Sequence, residues 1–219
     1  LLDDAVVYNT GHLFGFFSVF NADAVKSVSL IKGGFPAQYG GRLSSVIDIV
    51  MKDGNINKTE VDAGIGLIAS RLAIQGPLIK NKASYIVSAR RTYIDAITNP
   101  ILGKKNNYYG SGYYFYDINA KANYQFSNND RLFLSGYFGR DQFDFNNAKR
   151  SFTTSIPWGN STATLRWNHV FNQKWFANTS LIYNDYKFDF NGAQNNFNIN
   201  VSSGIKDVNA KTDFDFYPV

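Results

Sequence analysis

The chain has 219 residues, a net charge of +5 and 16% aromatic residues, and only 18% of its residues are charged, against about 25% in soluble domains. Cysteine is absent, which excludes a disulfide framework and a thiolate metal site, and His12 and His169 are too few for a histidine-rich metal centre. Lysine and arginine are scattered instead of forming one stripe, which argues against nucleic acid, and the longest apolar run, LFGFFSVF at 13–20, is far short of a membrane helix.

The opening LLDDAVVYN has neither an initiator methionine nor a signal peptide, as expected of a mature product or a fragment. Residues 1–54 are the more aliphatic part. NADAVKSV at 21–28 predicts a short helical turn, with the Asn21 side chain positioned to cap it. SVSLIKG and LSSVIDIVMKDG read as two strands flanking a corner, and glycine and proline crowd the stretch between Lys32 and Arg42. A phosphate cradle would need GxxxxGK[ST] or GxGxxG opening a helix. Neither occurs, and GGR leads into a strand, so a tight corner is the expectation.

From about Lys58 the pattern changes to a period of two. In DINAKANYQF, Ile118, Ala120, Ala122, Tyr124 and Phe126 share one face, and Asn119, Lys121, Asn123 and Gln125 the other. The same alternation sets Ala163, Leu165, Trp167 and Phe171 against Thr164, Arg166 and Asn168. It sets Trp175, Ala177, Leu181 and Tyr183 against Asn178, Ser180 and Asn184, and Val208, Ala210, Thr212, Phe214 and Phe216 against Asn209, Lys211, Asp213 and Asp215. RLFLSGYFGRD is aromatic on both faces, so its inward set stays open.

Eight strands are predicted, near 58–67, 70–78, 82–92, 112–126, 131–145, 158–171, 175–191 and 196–217. GPLIKNK, SNND and FNQK are short polar connections. YIDAITNPILGKKNNYYGSG, NNAKRSFTTSIPWG and NGAQNN are mostly longer and irregular. Short turns on one side and longer loops on the other describe an outer-membrane barrel meander, although IGLIASR leaves room only for a tight first turn. Tyr113 to Tyr116, Trp175 and Phe176 are placed as an aromatic girdle would be. A soluble sandwich with these aromatics in its core and a self-contained eight-stranded barrel, filled by its own side chains with no room for residues 1–54, are the alternatives.

The stretch YNTGHLFGFFSVFNADAVKSVSLIKGGFPAQYGGRLSSVIDIVMKDGN at 8–55 resembles the last part of the plug domain of TonB-dependent outer-membrane receptors. It looks most like the SusC-like receptors of Bacteroidetes that carry a carboxypeptidase-regulatory-like domain. The resemblance rests on Val28, Lys32, Gly33, Gly34, Pro36, Tyr39, Gly40, Gly41, Arg42 and the run Ser45 to Asp48. GIGLIASRLAIQGPL and SARRTYIDAI look like that family's opening barrel strands; beyond about Ile97 only the barrel pattern carries it.

The resemblance implies an all-β fold: a fragment of a transmembrane antiparallel β-barrel, about eight strands here of about 22 in a complete member, with the end of an α+β plug domain. Residues 1–56 would be plug and 57–219 the first part of the wall. In such a corner glycines would take positive φ and pack where a side chain would clash, Pro36 would fix one φ, and Arg42 would pair with carboxylates of the plug or inner wall.

Arg90 and Arg91 are adjacent on a strand, so one faces the lumen and the other a membrane boundary. Both are inner-wall or plug-contact candidates, with Asp95 as a partner. Tyr108, Tyr109, Tyr113 and Tyr114 lie in a Tyr/Asn/Gly stretch with the composition of an external binding loop, suited to a glycan or a peptide. His12 reads as a satisfied plug residue and His169 as an interfacial one. Asp3/Asp4 and Asp213/Asp215 read as solvated or lumen-facing pairs. No nucleophile elbow and no HExxH occur, so an enzyme is not expected, nor a cofactor or metal.

The implied function is part of an outer-membrane transporter, in a Gram-negative cell, that takes up a bulky nutrient (glycan, peptide or chelated metal) using energy coupled from the inner membrane. Expected partners are outer-membrane lipid, a TonB-type energising complex acting through a segment upstream, and a surface lipoprotein lid or other outer-membrane subunits. A receptor-derived structural subunit of a larger assembly, without transport, is the alternative.

Overall fold

Alternation of apolar and polar residues over many consecutive positions cannot be buried by a helix, and here it builds strands. The structure, a computed structural model, describes residues 1–34, 36–41 and 44–218. Its main body is one eight-stranded antiparallel sheet in chain order: β5 (Glu60–Ile65), β6 (Ala69–Ile79), β7 (Ala83–Thr92), β8 (Gly112–Gln125), β9 (Asp130–Asn147), β10 (Phe152–Val170), β11 (Trp175–Gln194) and β12 (Phe197–Phe216). These are the eight strands expected, within three residues at each end except at the start of β10, expected at 158 and found at Phe152. Among the described residues, β5 and β12 each have one hydrogen-bonded neighbour, on opposite edges.

Two connections differ from the expectation. NNAKRSFTTSIPWG is no loop: β9 and β10 stay paired up to Asn147↔Phe152 and turn through a short 3-10 segment, Ala148–Arg150. Continued pairing with β9 gives the backbone there partners that a solvated loop would find only in water. The long connection at 93–111 contains a helix, α1 (Ile94–Leu102), with Pro100 inside its last turn and Gly103 at φ +70 ending it. Ile94, Ile97 and Ile101 recur at helical spacing.

Residues 1–54 form a smaller unit. β1 (Gly11–His12) pairs with β2 (Phe17–Ser18), and β3 (Val25–Lys32) pairs with β4 (Ser45–Met51). The helical turn expected at 21–28 is a single turn: the Asn21 side chain accepts from the Asp23 N–H at 3.1 Å, and strand β3 already begins at Val25. Leu2, Val7, Val19, Ala24, Ile49 and Met51 make an apolar cluster against Tyr137 of β9.

The corner between β3 and β4 corrects one expectation. Gly33, Gly34 and Gly41 have φ of +62°, +52° and +73°, and a side chain at any of them would meet open space. Their glycines answer to backbone conformation alone. Pro36 sits at φ −54° before a 3-10 turn, Ala37–Tyr39, that Gly40 ends at φ −53°, and the Tyr39 hydroxyl donates to Asp48 at 2.9 Å. Arg42 lies outside the described residues. Crowding appears instead at Gly54, where the segment enters the sheet: φ is +84°, and a Cβ would fall 2.2 Å from the Tyr85 carbonyl oxygen.

The sheet's polarity is inverted relative to a soluble fold. Ile118, Leu165 and Leu181 on one face are 44%, 42% and 51% exposed, whereas Asn119, Lys121, Thr164 and Ser180 on the other are buried to 2% or less. A sandwich burying those three aliphatics in a shared dry centre is therefore not what the chain forms. The polar face is covered instead by residues 1–54, so an eight-stranded wall filled only by its own side chains is excluded as well. Within β9, Phe133 and Tyr137 turn inward while Leu134 and Phe138 are exposed, which resolves the strand left open above.

Candidate functional site

The site is the contact between residues 1–54 and the polar face, and it is built by alternation. Alternate residues of β7 to β11 face the segment's side, and these positions mix Ser, Thr, Asn, Asp, Lys and Arg with the buried Ile86, Phe115, Tyr137 and Trp158. Lys121 of β8 is one of the buried ones, 2% exposed. Its ammonium lies 3.1 Å from Asp3 and 3.0 Å from Asp53, and it donates to the Met51 carbonyl at 3.0 Å, with Lys121 and Asp3 side chains 1% exposed. Asp4 receives Lys211 of β12 at 3.0 Å and Arg166 of β10 at 3.3 Å. Asp23 receives Arg71 of β6 at 2.7 Å. Of the two readings of Asp3 and Asp4, solvated or inward-facing, their contacts fit the second: both anchor the segment to the sheet's polar face.

A second cluster surrounds His12. The Asp117 carboxylate of β8 accepts two bonds from the Arg90 guanidinium, at 2.9 and 2.7 Å, and the same guanidinium donates to the Ser18 carbonyl at 2.7 Å. His12 Nδ1 lies 2.7 Å from Asp141 of β9, and Nε2 lies 3.4 Å from Asp117. The Tyr113 hydroxyl donates to Asp141 and accepts from the Leu13 N–H at 2.6 Å. A cavity of about 500 Å³ adjoins this cluster, between residues 9–18 and the rings of Trp158, Tyr186 and Phe188.

Arg90 and Arg91 separate as adjacent strand residues must. Arg90 reaches both the inner face and the segment, whereas Arg91 points away, 3.7 Å from Asp95 and with its guanidinium 5.5 Å from the Tyr114 ring centre. Asp95 is therefore the partner of one arginine only. Of the four loop tyrosines, Tyr108 is exposed and packs on Phe145 at 5.9 Å, and Tyr109 and Tyr114 are half-buried. Tyr113 is a correction. At 5% exposure it lies inside an aromatic cluster with Phe115 and Trp158 and touches the segment, so it belongs neither to the outer loop nor to a girdle.

On the exposed face aromatics gather at the short-turn end instead. Ring pairs run Tyr124–Phe126, Trp167–His169, His169–Phe171, Phe171–Phe214 and Trp175–Phe216, at 4.4 to 6.4 Å. His169 is held there by Asp130 at 2.7 Å.

Reading the sequence missed Asp117, Asp141 and Lys121 as contact residues. Lys121 and its neighbours lie on the polar face of DINAKANYQF, so their direction was legible; what they touch was not.

Fold and site together define an all-β protein whose large antiparallel sheet is apolar outside and carries its own N-terminal segment on its polar side. No family model and no curated protein matches the chain. Among the described residues, no helix is long and apolar enough to cross a membrane, which leaves crossing by strands untouched.

Proposed function

We propose that the chain is part of an outer-membrane receptor of the TonB-dependent kind, in which residues 1–56 are the end of a plug and 57–219 the first stretch of a barrel wall. One observation carries this reading: large aliphatics such as Ile118, Leu165 and Leu181 are exposed on one face of the sheet, while the covered face, beside its aromatic clusters, buries Asn119, Lys121, Thr164 and Ser180. Water would favour the opposite arrangement. Lipid favours this one, because hydrocarbon accepts Ile118, Leu165 and Leu181 while a hydrated, plugged interior accepts Asn119, Lys121 and Ser180.

Strand length and ring placement support it. β9 to β12 have 18 to 20 residues, about twice the 9–11 that span a bilayer. Such strands would cross the membrane and project beyond it on the side of the 93–111 connection. Trp167, Phe171, Trp175, Phe214 and Phe216 would then lie at the other headgroup layer, where an aromatic ring can be dry at one end and wet at the other. The single-neighbour edges β5 and β12 would be joined by further strands, since lipid tolerates no open edge.

In this function the segment closes the wall's interior to a bulky nutrient until it is displaced. Energy would come from an inner-membrane complex of the TonB type, and a surface lipoprotein or other subunits would meet the outward loops.

The three tryptophans test the lipid contact. In single-tryptophan variants reconstituted with brominated lipid, Trp167 and Trp175, 44% and 42% exposed on the apolar face, are expected to be quenched strongly. Trp158, on the covered face, is expected to be spared. Equal quenching of all three, or none at Trp167, would overturn the reading.

A further inference from the structure

His12 is 1% exposed, and its ring stacks on Phe115 with centroids 3.9 Å apart and planes 4° from parallel. Both ring nitrogens face carboxylates, Nδ1 toward Asp141 and Nε2 toward Asp117. A neutral imidazole has one N–H. In either tautomer the other nitrogen would turn a lone pair to a buried carboxylate, and only the imidazolium presents a proton to both. The local charge count among the described residues agrees: Asp117 and Asp141 are matched by Arg90 and by His12 only when His12 is charged.

Among the described residues, the remaining groups around it do not supply the missing charge. From β8 comes Tyr113, donating to Asp141. From β9 comes Tyr137, and from β11 Tyr186; both sense the Asp141 charge and are neutral. Leaving a carboxylate buried beside an uncharged partner is costly.

We propose that His12 is a proton-operated latch. Its imidazolium fastens the turn at 9–20 to β8 and β9, and loss of the proton releases that turn, whose Asn9, Gly11 and Ser18 border the 500 Å³ cavity. The device controls access between the segment and the sheet. It uses only their mutual contacts, so it stands or falls independently of whether the outer face meets lipid.

The sign of the pH dependence follows. Burial acts to lower the His12 pKa, but the Asp117 and Asp141 carboxylates beside its ring outweigh it and hold it above 6.5. With the folded value raised, the latch contributes fully below the unfolded value of about 6.5 and is lost as pH rises through the higher folded value.

Hydrogen exchange on the whole chain in detergent tests this. Protection factors at 9–20, which correct for the intrinsic pH dependence of exchange, are expected to fall about tenfold or more between about pH 6 and pH 9. The shared strands β10 and β11 should hold constant. His12→Gln should give low protection that no longer varies with pH. Asp117→Asn, with one carboxylate fewer, should move the midpoint to lower pH. Should His12→Gln fail to fold, Asp117→Asn and the His12 ring resonance, assigned against His169→Gln, decide the matter. Flat protection at 9–20 in the unmodified chain, an unmoved midpoint in Asp117→Asn, or a His12 ring already neutral at about pH 6 would overturn the latch.

Discussion

Lys121 shows what one inward position can carry. Its ammonium is enclosed by two carboxylates and a carbonyl from three points of the N-terminal segment, so removing it strands buried negative charge. Breaking a buried pair in this way costs about 3–5 kcal/mol. Lys121→Met is expected to lower unfolding free energy by that amount in denaturant titrations in detergent, and Asp3→Asn in the same chain should recover part of it. A loss below about 1 kcal/mol would mean that the pair is hydrated and of little weight. Gly54 makes the complementary point for the backbone. Only a residue without a Cβ reaches φ +84° against the Tyr85 carbonyl, whereas the glycines of the β3–β4 corner answer to φ alone.

At the scale of elements, the alternation decides which way each strand faces but not what it faces. Leu165 is paired with Leu134 and Leu181 on its neighbours, in the middle of the apolar band. Leu165→Lys in bilayers is expected to destabilise by about 2–4 kcal/mol, as a cation does at the midplane of a lipid-facing strand. A change near zero, read from urea unfolding in vesicles, would mean that this face is wet. The strands were legible because a period of two repeated over ten or more residues has one structural solution. Helix α1 was not, because Pro100 and the surrounding Asn and Gly masked the Ile94, Ile97 and Ile101 spacing. The strands Phe152–Val170 and Trp175–Gln194 extend beyond the expected 158–171 and 175–191, since TTSIP and NGAQNN look like loops until a neighbouring strand pairs with them.

For the whole molecule, the exposed side of the sheet sets Leu134, Leu165 and Leu181 side by side on neighbouring strands, and clustered exposed apolar residues of this kind mark a contact surface. The chain is expected to associate in detergent-free buffer and to disperse in micelles; sedimentation velocity distinguishes the two. A monodisperse monomer without detergent would contradict the proposed lipid contact.

The sequence by itself determined that the chain is β-rich, that its second part runs through eight strands, and which side chains share a face, because each of these follows from local periodicity. Only the tertiary structure decided that Tyr113 turns inward, that Asp3 and Asp4 anchor the segment, and that Asp117 and Asp141 bracket His12. Those partners lie more than a hundred residues apart along the chain in several cases, and pairing of that kind is fixed by strand register and by what covers the polar face, neither of which any short stretch of residues encodes.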